Sequence, residues 1–144
     1  MEELVYDIEA DNLLPGLTRI WCIGVCNPKT PDDVITYTNY DDNHPSLMEG
    51  LHRLKAAKRL IGHNNIGYDC PAIEKLYPGY VRFEQQWDNM VVAGLVNPSR
   101  RSLALATFGK EFGFEKGDFH DFSAYSEEMR VYMVRDVALT ARVY

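Results

Sequence analysis

The stretch VYDIEAD, residues 5–11, constrains the chain most. Side chains alternate along an extended strand, so residues two apart share a face. Leu4, Tyr6 and Ile8 fall on one side, and Val5, Asp7 and Glu9 on the other. The segment reads as a buried, central first strand. Two neighbouring carboxylates repel each other and are costly near a core. A fold built on this strand must leave those carboxylates in water or set cations against them.

The pattern of the rest predicts an α/β layered domain with a mixed sheet. Residues 3–9 read as a first strand and 19–26, RIWCIGVC, as a buried second one. The Pro-Gly of NLLPGLT between them signals a hairpin-like turn. DVITYTNY, 33–40, reads as a third strand. Over 44–59 the period changes, and Leu47, Leu51 and Leu54 share a helical face. RLIGH, 59–63, is a short apolar strand, and a helix is expected from Cys70 with Pro71 in its first turn. Residues 87–96 and 102–113 read as two further helices, the second ending near Gly113. The last helix begins at Ser126, a cap, followed by Glu127 and Glu128. Val131, Val134, Ala138 and Ala141 are expected to pack it on the sheet. With no repeat, low-complexity tract or linker, residues 1–144 read as one domain.

Composition narrows the function classes without choosing one. The chain is 46% hydrophobic and 25% charged, which is globular usage. Neither a membrane-length apolar run nor a signal peptide is visible. Cys22, Cys26 and Cys70 have no zinc spacing and read as buried free thiols of a reducing compartment. The net charge of −6 divides unevenly: residues 1–50 hold 10 acidic and 2 basic side chains, residues 51–144 hold 11 and 13. The acidic half suits metal cations and the other half suits phosphates, although a solvated acidic face gives the same count.

Three places carry acidic groups that structure alone does not require. One is the pair Asp7 and Glu9. Another is Asp69 in GHNNIGYDCPAIEKL, which a helix N-cap would also explain. The third is YMVRD, where Tyr132 and Asp136 lie one turn apart on one helical face, an arrangement a surface pair would share. Together, four carboxylates from separate segments suit Mg²⁺ or Mn²⁺, which take oxygen ligands. Two such ions about 3.5–4 Å apart can clamp a scissile phosphate.

The ordered motifs Asp7-Ile8-Glu9, Asn64-x3-Tyr68-Asp69 and Tyr132-x3-Asp136 resemble those of the DEDD superfamily of 3′→5′ exonucleases. The tyrosine subclass fits; the sister subclass has a histidine five positions before the last Asp, where this chain has Val131. GHNNIGYDCPAIEKL and EEMRVYMVRDVALT, with FGKEFGFEKGDFHDF at 108–122, look like the proofreading domain of bacteriophage-type family A DNA polymerases.

The resemblance implies a ribonuclease-H-like α/β fold and two divalent ions, Mg²⁺ or Mn²⁺. Asp7, Glu9 and Asp136 would hold one ion, Asp7 would bridge to the second, and Asp69 would act on that one mainly through its waters. Tyr132 would orient the attacking water alongside Glu9. Leu13 matches a leucine that wedges between the last two bases, and Asn64 an asparagine near the terminal nucleotide. His63 reads as a strand-end residue that orients its neighbours at that end of the substrate. Asp88 matches an acidic position with a structural role. His44, His52 and His120 have no metal-ligand spacing. The implied activity is release of 5′-mononucleotides from the 3′ end of single-stranded DNA, in the cytoplasm (the host's, for a phage protein). The enzyme would stand alone or serve a separate DNA polymerase. RNA as substrate, a non-catalytic nucleic-acid-binding module, and another metal-dependent phosphohydrolase with an acidic first strand remain as alternatives.

Overall fold

A computed structural model describes residues 2–100, 102–114 and 119–144. Five strands form one mixed sheet in the order β3-β2-β1-β4-β5. They are β1 (Glu3–Ala10), β2 (Ile20–Cys26), β3 (Ile35–Tyr37), β4 (Arg59–Gly62) and β5 (Gln86–Asp88). β1, β2 and β3 pair antiparallel, while β4 and β5 continue the sheet in parallel from β1. The first strand thus has a neighbour on each edge, and helices cover its two apolar faces. Among the described residues no helix is long and apolar enough to cross a membrane.

One face of the sheet carries Leu4, Tyr6 and Ile8 against Leu47, Leu51 and Leu54 of α1 (Leu47–Ala56) and Ile73 of α2 (Cys70–Leu76). Val5, Cys22, Cys26 and Ile61 of the other face meet Met129, Met133, Val137 and Ala141 of α5 (Glu127–Val143). In chain order α3 (Asn89–Val96) and α4 (Leu105–Glu111) come between α2 and α5. Burying each large side chain of the α5 stripe contributes about 1.5–3 kcal/mol.

Several expected boundaries move, each for a local reason. α1 starts at Leu47, because Ser46 closes a capping box: its hydroxyl accepts from Glu49 N at 3.3 Å and Glu49 accepts from Ser46 N at 2.8 Å. The third strand shrinks to three residues. Trp87 and Asp88, expected in a helix, instead join Gln86 in an edge strand, and the helix begins only after Asp88. α4 is likewise shorter than expected, and Gly113 lies beyond it in the left-handed region at φ 67°. The packing face of α5 is the expected one in part, with Ala138 and Ala141 buried and Val134 against the same cluster. Val131 is 53% exposed, and the sheet-facing stripe is Met129, Met133, Val137 and Ala141, four residues apart throughout. Residues 115–118, inside the FGKEFGFEKGDFHDF segment, lie outside the described residues. The three cysteines are free and buried, and burial pushes the Cys26 thiol up to about 11.

Candidate active site

β1 delivers Asp7 and Glu9 to the face that α5 covers. α5 comes down close because β2 offers no side chain at Gly24, the register partner of Asp7. A Cβ on Gly24 would collide with Met133 Sδ and lie 2.9 Å from Val137 Cγ2. This close approach lowers the next turn, with Asp136, onto the strand. Oxygens of Asp7, Glu9 and Asp136 consequently gather within 4.8 Å of one another. Glu9 and Asp136 are buried, so the surface-pair reading of Tyr132 and Asp136 fails for the acid. Tyr132 is half-buried one turn earlier, its ring 5.8 Å from that of Phe119.

Asp69 arrives from another direction. After β4 the chain turns through Asn64 in the left-handed region and runs as a π-helix over Asn65–Asp69 before α2. Asp69 is helical and makes no cap bond, so the N-cap reading does not hold. Its carboxylate instead accepts from Ile8 N at 3.2 Å and shares a hydrogen bond with Asp7. Burial pushes the Asp69 carboxyl up to about 7, with Glu9 adding to the rise, while the bonds to Asp7 and to Ile8 N oppose it. Carboxylates this close to one another are relieved by a shared proton or by a cation.

Beside Glu9 opens a largely apolar pocket of about 350 Å³, lined by Ile8–Leu13, Tyr68 and Phe122. Leu13 is 73% exposed at its rim. The Tyr68 hydroxyl donates to Asn12 O at 2.6 Å, and burial beside Asp69 and Glu9 pushes its pKa up to about 12, so it stays protonated. Phe122 is brought in by Trp21, whose Nε1 donates to Phe122 O at 3.0 Å. Trp21 is the extra residue of a bulge, since Glu9 pairs with Cys22 and Ala10 with Ile20. His63 and Asn64 lie elsewhere. His63 Nε2 is 2.7 Å from Leu103 O with its ring against Phe108, and exposed Asn64 sits at the turn into the π-helix.

Asn12, Tyr68 and Phe122 line the pocket without having been singled out as site residues. Tyr68 stood inside its motif, whereas Phe122 reaches the pocket only through a contact spanning 101 residues. His44, without ligand spacing in the sequence, gathers in the fold with Asp41 and Glu127 within 4.8 Å. Arg130 holds Glu127 there through Nε at 2.9 Å, and His44 Nε2 lies 3.7 Å from Asp41, so the group is a surface charge network.

This sheet, with α5 across the carboxylate-bearing first strand, is a ribonuclease-H-like fold, and the chain belongs to the RNase H superfamily. The RNase_H_2 family model matches residues 4–130. Among solved structures the chain is similar to Brucella melitensis NrnC with bound Mg²⁺, at 14% identity and a TM-score of 0.72, over 99% of this chain and 69% of that one. It is equally similar to a structure described as the apo form of the nuclease, at 15% identity and 0.73, with 99% and 69% covered. NrnC bound to pGG matches at 14% identity and 0.73 over the same shares. No curated protein matches the sequence.

Proposed function

We propose that the chain is a metal-dependent 3′→5′ exonuclease of the tyrosine subclass, which removes 5′-mononucleotides from the 3′ end of a single strand. The observation that carries this reading is the gathering of Asp7, Glu9 and Asp136 beside a pocket of about 350 Å³. All three donors are carboxylate oxygens, a set that fits a hard cation and no soft one. The Mg²⁺ in a structural neighbour agrees with that choice.

Asp7, Glu9 and Asp136 would hold one divalent ion, and Asp7 with Asp69 would hold a second. Mg²⁺ or Mn²⁺ bound there supplies charge neutralisation at the scissile phosphate and an acidified water. Tyr132, one turn from Asp136, orients that water from the α5 side, and Glu9 orients it from the strand. Leu13, Tyr68 and Phe122 offer apolar and aromatic surface to the terminal base, a grip that tolerates any sequence. Asn64 stands at the entry to the π-helix that carries Tyr68 and Asp69, and His63 ties the end of β4 to Leu103.

DNA is the first reading of the substrate. Short RNA is the second, favoured by the pGG complex of NrnC. Incubating matched single-stranded DNA and RNA with Mg²⁺, Mn²⁺ or EDTA, and resolving the released products, tests both. Mononucleotides that appear only with metal support the proposal, and the faster substrate decides the sugar. Binding without cleavage under every metal would make the chain a binding module.

A further inference from the structure

The carboxylate of Asp88, 2% exposed at the end of β5, collects three backbone N–H groups. Oδ1 accepts from Asn64 N at 2.8 Å and from Met90 N at 3.0 Å, and Oδ2 accepts from Ile66 N at 3.1 Å. The bond from Met90 is an ordinary N-cap of α3. The other two are not explained by capping. They cross from β5 to the turn after β4, where the backbone is least ordinary. Asn64, at φ 58°, is the one non-glycine residue with positive φ among those described, and the π-helix follows directly. Both are conformations a chain adopts at some cost, and they persist only where surroundings hold them.

We infer that Asp88 is a positioning residue for the proposed exonuclease site, and the inference rests on that reading of the function. The parallel pairing of Gly62 with Asp88 fixes the carboxylate beside the turn. From there the hold passes along the backbone: Asn64 N is bound by Asp88, and Asn64 O accepts from Tyr68 N at 3.0 Å. Tyr68 closes the pocket onto Asn12, and the next residue, Asp69, meets Asp7 and Ile8 N. One buried carboxylate therefore sets both the pocket wall and the fourth acidic group without touching either.

Asp88→Ser separates this role from capping. Serine is itself a preferred N-cap, so Met90 keeps an acceptor, while the single, nearer oxygen cannot serve Asn64 and Ile66 as well. The measurement is amide hydrogen exchange in metal-free protein. Protection at Ile8, Ile66 and Tyr68 is expected to fall by roughly 10-fold while α3 amides keep theirs. In the cleavage assay kcat should drop about 10–100-fold, the usual effect of losing a supporting shell. Asp88→Asn, equal in size with one accepting oxygen left, should fall between. Unchanged protection at Ile8 and Tyr68, or loss confined to α3, would overturn the inference. Exchange needs neither metal nor substrate, so a wild type that cleaves nothing would defeat the nuclease reading while leaving this result to decide the role of Asp88.

Discussion

Asp7 is the residue on which the site turns, because it faces Glu9 and Asp136 and also bonds Asp69. Asp7→Ala should lower cleavage by about 10³-fold or more, since several kcal/mol of metal-borne stabilisation go with it. Tyr132→Phe keeps the ring against Phe119 and removes only the hydroxyl, so kcat should fall by roughly 10²-fold with the melting temperature unchanged. Asp69 gives a pH signature in metal-free protein. Its carboxyl titrates near 3.8 when unfolded and near 7 when folded, so between those values the folded state binds more protons. Its stabilising contribution is complete below pH 4 and is lost as pH rises through 7. Melting curves across that range should show the decline in wild type and a flatter profile in Asp69→Asn.

Among the elements, the depth of α5 decides whether three carboxylates meet. Gly24→Ala places a methyl group against Met133 and Val137, so Met133 must repack and α5 is pushed outward at Val137. Stability should fall by about 1–3 kcal/mol, as overpacking does, and cleavage should weaken beyond what the remaining folded fraction explains. Thermal melts and kcat on the same sample check this. Much of this level was legible in the sequence, because strand alternation pairs Asp7 with Glu9 and the helical repeat pairs Tyr132 with Asp136. The side of α5 that packs was legible in part: Ala138 and Ala141 are buried and Val134 packs against the same cluster, whereas Val131 is exposed and two methionines carry the stripe. Valine and methionine are both apolar, and the choice of the Met129–Met133–Val137 stripe follows from the groove that Gly24 opens on another strand. Phe122 was hidden for the same reason, its partner Trp21 being distant in sequence and unmarked by any local period, and Asp88 was legible as an acidic position with a structural role while its partners in the turn after β4 were not.

At the scale of the whole molecule, the sheet gathers at one end of β1 groups that would repel one another without cations. Divalent ions that bind only the folded state stabilise it by mass action. Millimolar Mg²⁺ or Mn²⁺ should therefore raise the melting temperature of wild type and leave that of Asp7→Ala in place, which a melt with and without EDTA reads directly. The pocket of about 350 Å³ beside Glu9 suits the proposed grip on a terminal nucleotide. The most direct measurement follows a 5′-labelled single strand through time with Mg²⁺, beside Asp7→Ala and an EDTA control. The account predicts a ladder that shortens one nucleotide at a time from the 3′ end and is absent from both controls. Internal fragments from the outset, or a ladder that survives in Asp7→Ala, would contradict it.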